Sequence, residues 1–155
     1  MPPPASHRLA VLVLAADPDA DGRSIADLAA AWALLAAAGG LVTGGHGSMV
    51  LEGDGPVRFL ANRQGGFRVT CPDTGTNVVG AFVPALTGWR AGGPRGMRCP
   101  CGGVHDLAAL VFAPEAGFAR AWITISDVAS ADLAPRAAQV AKDLLGEVRV
   151  VLRRG

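Results

Sequence analysis

Three cysteines and a histidine fall between positions 71 and 105, as Cys71-Pro72-Asp73-Thr74-Gly75, 23 residues, then Cys99-Pro100-Cys101-Gly102-Gly103-Val104-His105. This pattern constrains the chain more than any other. Zinc takes four soft or borderline ligands in a tetrahedron, and three Cys plus one His supply that number. Proline after cysteine fixes the angle at which the chain enters a turn. Glycine permits the tight turn that aims amide groups at a thiolate sulfur. His105 lies four positions past Cys101, near enough to reach back. An odd number of cysteines does not make a secreted disulfide framework, so a reduced, cytoplasmic compartment is expected. The bland alternative is three buried free thiols. A redox pair at Cys99 and Cys101 is a further alternative, but no thioredoxin-like βαβ motif adjoins it. Counting four ligands leaves no open position and the segment holds no Glu, so the expected ion is structural rather than catalytic.

Charge divides the chain in the same place. Residues 1–57 carry Arg8 and Arg23 against Asp17, Asp19, Asp21, Asp27, Glu52 and Asp54. Residues 58–105 carry Arg58, Arg63, Arg68, Arg90, Arg95 and Arg98 against Asp73 alone, and the remainder is balanced. The overall charge of +1 therefore hides a basic middle. That middle is rich in Gly and Pro, and Phe67, Phe82, Leu86 and Trp89 are its main large apolar residues. Such a stretch lacks a core of its own and is expected to depend on a metal. The flanks differ. The chain as a whole is 50% apolar and 17% charged, which excludes a disordered polymer.

The flanks read as two strand–helix–strand units. Leu9–Ala15 is apolar on both alternating faces, as a central strand should be. Ser24 and Asp27 form an expected capping box for a helix from Ile25 to about Ala38, stopped by Gly39. Residues 42–47 are a Gly-rich connector. Met49–Glu52 and Val57–Leu60 read as short strands around a Gly53-Asp54-Gly55 turn. Phe118–Ser126 alternates Ala121, Ile123 and Ile125 with Arg120, Trp122 and Thr124. A helix beginning at Ser130 or Ala134 takes Pro135 in its first turn and aligns Leu133, Ala137, Val140, Ala141 and Leu144, with Gly146 ending it. Val148–Leu152 is a last strand. The expected fold is α+β: a ferredoxin-like split βαβ sandwich with halves at 8–60 and 114–155, and a zinc-ribbon-like insert at 61–113.

The Cys-Pro-x-Thr-Gly element followed by Cys-Pro-x-Cys-Gly-x-x-His resembles that of short, uncharacterised bacterial zinc-ribbon-like proteins, over about Arg68 to Ala113. Val79-Gly80-Ala81-Phe82 resembles the strand after their first knuckle. The resemblance implies zinc, not an activity, and implies that Thr74 is normal for the pattern. The chain departs from it at Cys99-Pro-Cys101, one residue shorter than the usual knuckle. That tighter bite leaves Cys99 as either ligand or bystander.

The expected function is a non-enzymatic protein-binding or assembly module, acting on a protein partner or by self-association. The alternative is a nucleic-acid binder that tracks phosphates with Arg68, Arg90, Arg95 and Arg98 and stacks bases on Trp89. Asp17, Asp19 and Asp21 match half of a calcium loop, but its twelfth position is Leu28 rather than Glu, so no specific calcium site is expected. His46 in a Gly-rich loop and His7 in a Pro-rich tail carry little. A nucleotide-binding Gly motif and a nucleophile elbow are both missing from the sequence. Leu9–Ala16 behind Arg8 lacks the basic start and cleavage site of a signal peptide. The Ala-rich run to Val42 is too weakly apolar to span a bilayer.

Overall fold

A computed structural model describes residues 9–38, 40–62 and 68–154. Arg8, Gly39, Arg63, Phe67 and His7, named above, lie outside the described residues. The chain divides into two compact units, one made of 1–64 and 116–155 and the other of 65–115.

The first unit holds β1 (Leu9–Ala15), α1 (Gly22–Ala38) and β2 (Met49–Leu60) from the N-terminal side. From the C-terminal side it holds β7 (Gly117–Val128), α3 (Pro135–Leu145) and β8 (Val148–Arg154). Its four strands form one antiparallel sheet in the order β2-β7-β1-β8, so β1 and β7 are central. Val11, Val13 and Ala15 of β1 share a core with Ala121, Ile123 and Ile125 of β7, and with Ile25, Leu28 and Trp32 of α1. Ala137 and Ala141 of α3 complete it. These small residues let α3 come close to Trp32, whose indole Nε1 donates to the Ala137 carbonyl at 3.0 Å. Leu12 and Leu14 belong instead to a second buried cluster with Leu60, Ala119, Trp122 and Val151. Burial on both faces explains why β1 shows no polar alternation.

Several local expectations are corrected. The cap of α1 is Asp21 rather than the Ser24–Asp27 box: the helix starts at Gly22, and Asp21 Oδ1 accepts from the Ser24 amide at 3.1 Å and its hydroxyl at 3.3 Å. These bonds to the charged form, with the Ser24 amide the largest contributor, lower the Asp21 pKa. Gly40, at φ +109° and donating to Leu35, follows the helix. The expected hairpin at 53–55 is one continuous strand with a bulge. Gly53 pairs with Ala121 and Arg58 with Ala119, so four residues, 54–57, oppose Arg120 alone. Gly53 is required there: its φ is +93°, and a Cβ would stand 2.3 Å from the Arg120 carbonyl. The connector near residue 42 is partly anchored, with Leu41 and Val42 buried and Val42 bridged to Leu133. On α3, Pro135 occupies the first turn as expected, whereas Leu144 is exposed and Leu145 packs on the core.

In the second unit, β3 (Arg68–Thr70) pairs with β6 (Val111–Ala113), and β4 (Gly96–Arg98) pairs with β5 (Val104–Asp106), both antiparallel. Between them lies α2 (Val79–Arg90), and a 3-10 turn spans Leu107–Ala109. The strand expected at Val79–Phe82 is therefore the start of a helix. Asn77 Oδ1 accepts from the Val79 amide at 3.0 Å, and Phe82 and Leu86, four residues apart, are buried on one helical face. Phe82 meets Phe112 edge-on, with centroids 5.3 Å apart. Val69, Met97, Leu107 and Leu110 are buried as well, so the unit holds more apolar material than the four residues singled out from sequence.

Candidate metal centre

Two turns converge on the cluster. The first follows β3: the Cys71 amide donates to the Thr76 carbonyl at 2.9 Å, and the Gly75 amide donates back to the Cys71 carbonyl at 2.8 Å. Gly75 has φ +70°, which closes this loop without Cβ strain. The second is the tip of the β4–β5 hairpin. Cys99 donates to the Gly103 carbonyl at 2.8 Å and Gly102, at φ +95°, donates to the Cys99 carbonyl at 3.0 Å. His105 sits on β5, paired with Met97 on β4. The base of this hairpin is clamped by Arg95, whose guanidinium reaches Asp106 through Nε–Oδ1 at 3.0 Å and Nη2–Oδ2 at 3.1 Å. Asp106 Oδ1 also accepts the Ala108 amide at 2.9 Å, starting the 3-10 turn.

The ligand atoms of Cys71, Cys99, Cys101 and His105 all lie within 4.8 Å of one another, and this group could hold a metal ion. Imidazole Nε2 of His105 stands 3.5 Å from Cys71 Sγ and 3.4 Å from Cys101 Sγ. A tetrahedral zinc with ordinary bond lengths needs S···N separations of about 3.6 Å, and these two distances are close to that value. Cys99 is in the group despite the short knuckle. Cys71 and Cys99 are buried, Cys101 is exposed and His105 is in between.

The thiols differ in acidity. The Thr74 hydroxyl, the largest influence, and the amides of Asp73 and Thr74 bring Cys71 down to about 6 against the opposing effect of burial. For Cys99 the Cys101 amide pulls downward, but burial and the thiols of Cys101 and Cys71 prevail and raise it to about 11. A thiolate is the form in which a cysteine can bind metal, and the first turn favours that form at Cys71. Sequence reasoning accounted for Thr74 only by resemblance; its hydroxyl two residues past the proline was the usable signal. Asp73 was not singled out either, yet its Oδ2 lies 3.7 Å from His105 Nε2.

The residues of the nucleic-acid alternative differ in their surroundings. Arg68, Arg90 and Arg98 are exposed and Trp89 is half-buried, but Arg95 is committed to Asp106. The unit that holds these four arginines also holds Asp73, Asp106 and Glu115, so the basic excess of residues 58–105 largely disappears within its boundaries. In the first unit, the Asp17 carboxylate accepts the Asp19 amide at 2.9 Å, and Asp21 is occupied by its helix cap. His46 Nδ1 lies 2.7 Å from the Gly47 carbonyl. Shallow clefts flank Gly53, where the Glu52 carboxylate accepts from Trp122 Nε1 at 3.1 Å and from the Thr124 hydroxyl.

Among the described residues, no helix is long and apolar enough to cross a membrane. No protein-family model matches the chain, and no curated protein or solved structure matches it.

Proposed function

We propose that this is a non-enzymatic zinc-binding protein, in which Cys71, Cys99, Cys101 and His105 hold one structural Zn2+. The observation that carries the reading is the convergence of three sulfurs and one imidazole nitrogen within 4.8 Å. Sulfur and nitrogen donors without oxygen among the four favour zinc over magnesium or calcium. Four ligands complete a tetrahedron and leave no position for substrate.

The metal-bearing unit acts as a zinc-ribbon-like insert with a helix between its two knuckles, carried by a ferredoxin-like split βαβ domain. The all-antiparallel order β2-β7-β1-β8, with α1 and α3 as the two crossovers, supports that assignment. The protein serves as a binding or assembly module for a protein partner or a second copy in the cytoplasm. Val83, Val104 and Val111 are exposed apolar side chains on the insert that such a contact could use.

Elemental analysis of protein isolated without chelator tests the reading. One equivalent of zinc is expected, together with a tetrahedral thiolate spectrum on Co2+ substitution. Well under one equivalent, with all three thiols freely titratable in the native state, overturns it.

A further inference from the structure

The metal cluster has an inner and an outer side. Cys71 and Cys99 are 1% and 4% exposed, whereas Cys101 is exposed. On the outer side stands a carboxylate that the tetrahedron does not use. Asp73 is 71% exposed at its side chain and brings Oδ2 to 3.7 Å from His105 Nε2, yet it is not part of the mutually close group of four. We infer that Asp73 is a transient metal ligand at the rim, the group through which the ion enters and leaves the site. The inference rests on the zinc reading of the cluster.

The chemistry of exchange asks for such a group. Aqueous zinc arrives with a shell of water oxygens, and a compact sulfur and nitrogen cage must strip it. A carboxylate is a hard oxygen ligand that replaces one water without a change in donor type. From Asp73 the ion is within one ligand step of His105 Nε2, which neighbours Cys101 Sγ at 3.4 Å. As each remaining protonated thiol binds, its proton passes to solvent. The carboxylate is released when the fourth protein ligand closes, and zinc tolerates the five-coordinate state this passage requires. Release follows the same steps in reverse, so the carboxylate lowers one barrier shared by both directions.

That symmetry separates a transient ligand from a merely negative neighbour. A negative neighbour speeds uptake and slows release, whereas a transient ligand speeds both. The test uses the full chain, wild type and Asp73→Asn. Zinc uptake by the metal-free protein and zinc loss to a chromophoric chelator, extrapolated to zero chelator, are followed by stopped flow. Both rates are expected to fall in Asp73→Asn by about tenfold, roughly what one charge-assisted contact is worth. Zinc stoichiometry and the Co2+ spectrum stay as in wild type, and Asp73→Glu restores the rates. Slower uptake with faster release overturns the inference in favour of charge alone, and unchanged rates overturn it outright. A changed Co2+ spectrum makes Asp73 a resident ligand and also overturns it. Wild-type protein that takes up neither Co2+ nor zinc defeats the zinc reading itself, which the variant results by themselves do not.

Discussion

Replacing Gly102 by alanine isolates how tightly the second knuckle and the metal depend on each other. Gly102 has φ +95°, and a Cβ built there meets nothing within 4 Å. The substitution is therefore free of steric clash and carries only backbone strain, at least about 1–2 kcal/mol for an L-residue held at positive φ. The Gly102 amide closes the turn onto the Cys99 carbonyl, so the strain falls on the segment that sets the Cys99–Cys101 bite. If that turn forms only around the ion, the whole cost appears in the affinity. At 1.4 kcal/mol per factor of ten, zinc binding weakens by about five- to thirtyfold. Gly103→Ala is the matched control. Its φ is not positive, and its Cβ would sit 3.7 Å from Cys101 Sγ, an ordinary contact. Competition with a chromophoric chelator at fixed pH reads both affinities. Wild-type affinity in Gly102→Ala, or a larger loss in Gly103→Ala, refutes the coupling of turn and metal.

Other outcomes are expected from the same geometry. Cys71→Ser loses the metal and exposes 65–115 to protease, while helical signal by circular dichroism falls by no more than the share of α2, because α1 and α3 belong to the first unit, which has its own core; a cooperative collapse of all helical signal would contradict this. In the metal-free protein one thiol ionises near pH 6 and another stays protonated past pH 9, read as thiolate ultraviolet absorbance, and Cys71→Ser removes the low step. The sign follows from the two shifts. Cys71 is lowered, so its stabilisation is full above its ordinary value near 9 and is lost as pH falls through about 6. Cys99 is raised, so its contribution is full below 9 and is lost as pH rises through about 11. Trp32→Phe gives up the buried bond to Ala137 and leaves space between α1 and α3, costing about 1–3 kcal/mol; thermal unfolding should shift down with metal content unchanged.

The parts legible in the sequence are those where local chemistry and tertiary packing agree. Leu9–Ala15 is apolar throughout because both its faces are buried, and the strand has the expected bounds. Pro135 and Gly146 bracket α3 for the usual backbone reasons. The four clustering side chains could be named because thiolate and imidazole are the usual donors of a structural zinc site, and tight turns of this kind favour Pro and Gly. Helix α2 was missed because Gly80, Pro84 and Gly88 lower its intrinsic propensity. It forms because Phe82 and Leu86 are buried along one face, and a four-residue apolar run does not reveal that face. The β2 hairpin was misread because Gly53-Asp54-Gly55 has the composition of a turn. Pairing with β7 on both sides of those residues makes them a bulge instead, a choice set by a partner nearly 70 residues away. The cap went to Asp21 over Ser24 because either residue can cap, and local sequence does not rank them.

The pairing of Leu60 with Gly117 brings together two residues far apart in the chain. Opposite residues on antiparallel strands stand about 5 Å apart, so the 56 residues between them occupy the place of a hairpin turn. An unfolded loop of that length costs roughly 2 kcal/mol more to close than a four-residue turn. A segment that folds by itself with its ends together removes that cost before β2 and β7 meet. Metal loading of the inserted segment is then expected to lower the entropic cost of closing the sheet that carries it, and a short turn in its place should do the same.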